Sequence, residues 1–437
     1  EWPMLIEFNF ANYRSFREPT VLSMEATGLG SLKSCLIYHG NKKIVPCAAI
    51  YGKNGGGKSN VIRAFWFATQ FIKTAQRTQH ENAAIPVQPF MLDDFSGKAP
   101  TSFDFTYIHN GIKYNYGFSA TRQGITEEHL YHWPKGQQAL VFTRRKQEFQ
   151  FVTNNLKRRR ELIAETIAPN QLYFAVACTM NEQACINAMA WFRDEVYFSR
   201  TYSDFPDYLL EYSDDSNMLT AIADYAKAAD VGIQDMQFEF RNKDIADPQN
   251  IPSEIPEEIR AALAQFLQAL SDASTVSEHK LRMGEVRATS FHRGINRNGE
   301  SANYALQLAD ESDGTRRLMS LAPDIEKVLR CGGVLLVDEL EKEIHPMLVQ
   351  YIVAKFQSSS SNPNHAQLIF TTHDTELLNM ELLRKDEIYF VDKDRENGVS
   401  SLYSISDFGT ATGENIRKGY LMGKYGATPE LDIEEVE

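Results

Sequence analysis

Ala48-Ala49-Ile50-Tyr51, Gly52-Lys53-Asn54-Gly55-Gly56-Gly57-Lys58-Ser59 and Asn60-Val61-Ile62-Arg63-Ala64-Phe65 form the stretch on which the reading of this chain turns. Gly, four residues, then Gly-Lys-Ser is the pattern of a phosphate-binding P-loop. Its flanks agree. Ile44 to Tyr51 is an apolar run of strand length, and Val61, Ile62, Phe65, Ala68 and Phe71 recur at helical spacing. Gly52, Gly55, Gly56 and Gly57 let backbone N–H groups turn inward, with Asn54 between them and Ser59 and Asn60 opening a helix whose dipole points at the same anion. In that geometry Lys58 reaches the β- and γ-phosphates and the Ser59 hydroxyl faces Mg²⁺. ATP and Mg²⁺ are the expected cofactors.

Working outward, a second buried strand is Val334-Leu335-Leu336-Val337, ending in Asp338-Glu339. Carboxylates at the carboxyl edge of a parallel sheet stand where ligands bind. Asp338 is expected to hold the metal and Glu339 to polarise the attacking water. A third apolar strand, Gln367 to Thr371, leads to His373, which is placed to donate to a γ-phosphate. Upstream, Asp310-Glu311-Ser312-Asp313-Gly314 opens a helix, with Ser312 as its N-cap.

The remaining chain divides in three: 4–153 as the first part of a nucleotide-binding head, 154–285 as a mainly helical insert or arm, and 286–437 as the second part of the head. The first part reads as strand after strand, Thr101–His109, Ile112–Ala120, Glu127–His132, Ala139–Thr143 and Phe149–Val152, with Asn110-Gly111 the strongest hairpin turn. An antiparallel layer beside a P-loop core sheet, α/β in class, is the expected architecture. Strand-like Asp235–Arg241 interrupts the insert, and Arg287–Arg293 with Glu300–Leu308 reads as a hairpin returning to the core.

The 437 residues, 43% hydrophobic and 24% charged, suit a folded chain of two or three domains. No run reaches membrane-span length and no leader pattern appears, so a cytoplasmic protein without membrane contact is expected. The five cysteines form no metal spacing and read as reduced thiols. A net charge of −13 argues against non-specific coating of nucleic acid. The dense basic clusters Arg144-Arg145-Lys146 and Lys157-Arg158-Arg159-Arg160 leave a local DNA or RNA contact through the insert open. Asp392 and Asp394 imitate a metal cluster but read better as a strand-end turn.

The order of these motifs resembles the ABC-type ATPases of chromosome maintenance and double-strand-break repair. That resemblance implies an ABC-type ATPase head in which Ser312 and Gly314 form a signature motif contacting the γ-phosphate held by a second subunit. Two heads would then close on two ATPs, as a homodimer or higher homo-oligomer. Glu341 stands near the dimer-contacting D-loop position, where Asp is commoner, and Gln88 is a weak candidate for the Q-loop glutamine. Gly52 and Ser312 lie too far apart in sequence for a transporter ATPase. A narrower resemblance rests on Asn9–Phe16, Tyr51–Asn60, Asp338–Pro346 and Lys418–Ala427. These stretches are similar to bacterial AAA/ABC ATPases of abortive-infection and anti-phage defence, including Septu- and PARIS-type subunits. The resemblance implies a sensor or scaffold controlling a separately encoded nuclease or toxin effector, and places Asn12, Tyr13 and Arg14 near the nucleotide. Too few residues follow His373 for the fused nuclease domain of related proteins. A repair-like clamp on DNA ends, or an ATP-binding scaffold with little turnover, are the other readings.

Overall fold

A computed structural model describes residues 2–28, 32–78, 83–152, 155–200, 205, 209–230, 232–244, 257, 260, 262, 263, 265, 282–409 and 414–428. The apolar run before the P-loop is the strand β5 (Cys47–Tyr51), buried at every residue. It lies inside a six-stranded sheet. Beside it run β16 (Gln367–Thr371) and β17 (Ile388–Lys393), then β15 (Val334–Val337) and β11 (Val196–Phe198) on one flank and β18 (Ser400–Ser404) on the other. All pairs are parallel except the β17–β18 hairpin. Strands covered on both faces need no polar alternation, which is why β5, β15 and β16 read as unbroken apolar runs.

A seven-stranded antiparallel sheet forms the second layer. Its order is β10 (Glu148–Gln150), β9 (Ala139–Arg145), β8 (Ile125–Trp133), β7 (Ile112–Ala120), β6 (Thr101–His109), β1 (Met4–Ala11) and β2 (Thr20–Ser23). Asn110 and Gly111 both take positive φ, 49° and 73°, as the tight turn between β6 and β7 requires. A small hairpin, β3 (Ile37–His39) with β4 (Lys42–Ile44), precedes β5. The buried Gln367 side chain accepts from Leu5 N (2.6 Å) and donates to Leu5 O (3.0 Å), tying β16 to β1.

The P-loop helix α1 (Lys58–Thr78) buries more than one stripe. Phe65 packs on Phe8 (4.7 Å) and Phe105 (5.1 Å), Phe67 on Phe103 (5.6 Å), and Phe71 on Phe118 (5.5 Å). Such broad burial needs packing partners on more than one side. Three short helices, α2 (Lys157–Ala164), α3 (Tyr173–Thr179) and α4 (Gln183–Asp194), join the same unit. Trp191 stacks on Tyr107 at 4.4 Å, and Glu128 of β8 accepts from Tyr173 N and Phe174 N, both at 2.9 Å, capping α3.

The chain separates into one unit of residues Glu1–Ser199 with Lys327–Glu437, and a second of Arg200–Glu326. The division thus falls at 200 and 326, where the sequence suggested 154 and 285. The physical reason is that α2 to α4, amphipathic and short, bury their apolar faces within the first unit. The second unit holds α5 (Ser216–Ala229) and a three-stranded antiparallel sheet of β12 (Ile233–Asp244), β13 (Arg282–Ile295) and β14 (Ser301–Gln307). The hairpin foreseen at Arg287–Leu308 pairs with β12 of its own unit. The helix α6 (Asp313–Cys331) starts there.

Candidate nucleotide site

Two glycines of the loop are demanded by what approaches them. A Cβ on Gly52 (φ +156°) would stand 2.3 Å from Val391 O on β17, and one on Gly57 (φ +119°) 2.6 Å from Ser400 Oγ. The same neighbours hold the loop. Ser400 Oγ donates to Gly56 O (2.6 Å), Ser400 N donates to Ser15 O (2.7 Å), and Asn60 Nδ2 donates to Ser15 Oγ (2.9 Å). Ser15, from the turn after β1, and Ser400, from β18, thereby brace the loop from outside the motif. No spacing rule points to either residue.

Lys58 is buried, and its Nζ donates to Gly52 O (2.8 Å) while standing 3.5 Å from His373 Nδ1. Burial lowers its pKa, and Glu341, Glu339 and Asp338 act against that. A cation resting on loop carbonyls beside three carboxylates can hand its hydrogen bonds to phosphate oxygens.

Asp338 and Glu339 leave the end of β15 half-buried and are joined through one hydroxyl. Thr371 Oγ1 donates to Asp338 Oδ1 (2.6 Å) and accepts from Glu339 N (2.7 Å). Glu339 has φ +53°, a left-handed conformation uncommon for a non-glycine residue. Two residues on, Glu341 accepts a hydrogen bond from His373 N, so the position read as a D-loop holds His373 within the same chain. Partial burial and the Lys58 charge both pull the His373 pKa below its ordinary value.

Among the sequence-predicted residues, Asn54, Gly55, Gly57, Lys58, Ser59, Asn60, Glu339 and His373 line one cavity of about 180 Å³ with Lys53 and Arg63. Gly52 and Gly56 shape the loop behind it, and Asp338 joins through Thr371. The donor set fits Mg²⁺: a serine hydroxyl and a carboxylate are hard oxygen ligands. Asp338, Glu339 and Glu341 also place more negative charge around Lys58 than one ammonium neutralises, and Glu341 Oε2 is buried without a hydrogen bond. A larger cavity of about 850 Å³ adjoins the outer side of the loop, walled by Lys53, Lys393, Arg395, Tyr420 and His373.

Other expectations resolve differently. Gln88 offers its backbone carbonyl to Arg14 N (2.8 Å) and its side chain is exposed, so it acts here as a loop residue. Asn12 spends its amide on Ser96 O (2.8 Å) and on Phe90 N (3.0 Å), a structural role. Asp392 pairs with Lys53 (2.9 Å), and Asp394 accepts from Glu396 N (2.8 Å) in a strand-end turn. The basic run lies on α2 of the first unit. Arg160 is buried against Glu182 (2.7 Å) and Arg144 against Glu128 (3.3 Å). These two arginines are structural. Ser312 and Gly314 lie in the second unit at the start of α6, where Ser312 is exposed and its Oγ accepts from Thr315 N (3.1 Å).

The family model described as "AAA domain, putative AbiEii toxin, Type IV TA system" matches residues 47–379, from β5 to beyond His373. The chain belongs to this AAA family. A relative of this AAA protein is the "Retron Vc95 probable ATPase" of Vibrio cholerae serotype O1 biovar El Tor, 21% identical over 371 residues that cover 75% of this chain and 67% of the relative. Solved structures similar to it include an Smc head bound to the C-winged helix domain of ScpA, at 13% identity, TM-score 0.41 and 92% and 97% coverage of the two chains. The SMC head domain of Thermotoga maritima is 13% identical, with TM-score 0.37 and coverage of 92% and 98%. The recombination mediator RecF with ATP is 12% identical, with the same TM-score and coverage. Among the described residues of this AAA protein, no helix is long and apolar enough to cross a membrane. What sequence reasoning missed in the site is Thr371, which ends a buried strand and looks like any β-branched residue, and the bracing pair Ser15 and Ser400.

Proposed function

We propose that this AAA protein binds ATP with Mg²⁺ at the P-loop and hydrolyses it in a site completed by the Ser312–Gly314 segment of a second copy. The observation that carries the reading is the single cavity in which Lys58, Ser59, Glu339 and His373 meet. Loop amides and Lys58 bind and orient the triphosphate, and Glu339, its backbone held by Thr371, takes the proton of the attacking water. His373, held by Glu341 and adjacent to Lys58, senses the terminal phosphate. When bound, Mg²⁺ would supply charge neutralisation at the phosphates, held by Ser59 and Asp338.

The relatives support a biological setting. A family described by a toxin of a Type IV toxin–antitoxin system and a retron ATPase both favour anti-phage defence. In that setting the protein acts as the sensor or scaffold subunit of an abortive-infection system, controlling a separately encoded nuclease or toxin. Hydrolysis per subunit that rises with protein concentration, together with ATP-dependent dimers of a Glu339→Gln variant, is the expected result. A rate independent of concentration, with monomers throughout, would remove the shared site.

A further inference from the structure

The residue before the α6 cap is a buried carboxylate. Glu311 is 7% exposed, whereas its neighbours Ser312 and Asp313 are exposed. Glu311 Oε1 accepts a hydrogen bond from Ser290 Oγ and stands 2.7 Å from His292 Nε2. Ser290 and His292 are two apart on β13, so they project from the same face and reach one oxygen together. Gly232 backs the ring: a Cβ there would stand 3.0 Å from Asp230 Oδ1 and 3.1 Å from His292 Nδ1, and its carbonyl accepts from Arg293 N at 3.1 Å.

The cap itself does not need this arrangement. Ser312 Oγ already satisfies Thr315 N, and its carbonyl takes Arg316 N at 3.0 Å. Burying a carboxylate is costly unless it is hydrogen-bonded, and here both partners come from one paired strand. The contact therefore sets where the cap sits relative to the sheet. We infer that Glu311, Ser290 and His292 are positioning residues that hold Ser312 and Gly314 in register with β13, so that the β12–β14 sheet governs engagement of the triphosphate on the second copy. This rests on the shared-site reading above.

The test uses the full chain. Glu311→Ala and His292→Ala should lower kcat by about tenfold or more while leaving the affinity for a fluorescent ATP analogue within about twofold of wild type. His292→Gln, which keeps a donor near the carboxylate, should recover part of the rate, and Ser290→Ala should lower it less than His292→Ala. Circular dichroism melts identify any variant that fails to fold, and Gly232→Ala then displaces the ring without deleting a partner and should also lower kcat. Ser312→Arg separates the two ideas. If it abolishes turnover while the Glu311, His292 and Gly232 variants turn over normally, the positioning role is wrong and the shared site stands. If all of these turn over normally, both fall. Equal losses of kcat and analogue affinity, or no recovery with His292→Gln, would also overturn the positioning role.

Discussion

The P-loop end of the first unit and the Ser312 end of the second are built in opposite ways. Around the P-loop, groups from five elements converge: the side chains of Ser15 after β1, Thr371 of β16, Glu341 after β15 and Ser400 of β18, and the backbone carbonyl of Val391 of β17, all meet the site or its loop. At the other end an exposed serine caps a helix, and one buried carboxylate ties the turn to one strand. The bracing of the first comes from within one chain. Redundant bracing suits a site that must hold a fixed geometry.

The comparison breaks most readily at Glu339. Glu339→Gln keeps the backbone bond to Thr371 Oγ1 and removes the proposed base, so hydrolysis should fall by roughly 10²- to 10⁴-fold with ATP binding kept. Single-turnover hydrolysis at the wild-type rate would put the base elsewhere. Next is Lys58→Ala, which removes a buried ammonium and its charge-assisted bonds. Nucleotide affinity should drop roughly 10- to 100-fold, the worth of about 1.5–3 kcal/mol for hydrogen bonds to a charge. Calorimetric titration giving an unchanged Kd would sink the P-loop assignment.

Thr371→Val probes the bracing directly. It conserves shape but deletes the hydroxyl between Asp338 and Glu339, leaving Glu339 N and Asp338 Oδ1 each without that partner. A loss of about 1–3 kcal/mol in unfolding free energy is expected, together with slower hydrolysis, because Glu339 loses the bond that holds its left-handed backbone. Denaturant melts matching wild type, with a normal rate, would mean that the redundancy described above absorbs the change.

How much of this was legible in the sequence follows from the range of each interaction. Gly52 to Ser59, the strand before Asp338-Glu339 and the strands on either side of Asn110-Gly111 declare themselves because a local pattern fixes their conformation. Ser15, Ser400 and Thr371 do not. Each acts on a residue at least thirty positions away, a juxtaposition that only the sheet order creates. The unit boundary was hidden for a related reason: the apolar stripes of α2, α3 and α4 announce burial but not against what. Arg144 and Arg160 show the converse error, since a basic run in sequence carries no mark of which members are turned inward onto Glu128 and Glu182.

The smallest effect is also the most local test of whether His373 and the P-loop lysine act as one unit. Partial burial and the Lys58 charge both depress the His373 pKa. A histidine depressed on folding binds fewer protons in the native than in the unfolded chain between its two pKa values. Stability therefore rises with pH across that window and is lost as pH falls below the unfolded value. His373 is exposed enough that the change in stability will be slight, so the titration itself is the readout. In a nuclear magnetic resonance titration its midpoint should lie below that of a free histidine, and Lys58→Met should move it upward while burial keeps it from reaching the free value. A midpoint unmoved by Lys58→Met would show that the 3.5 Å approach does not couple the two groups in solution. The P-loop end would then be two independently braced parts, and its contrast with the Ser312 end would weaken accordingly.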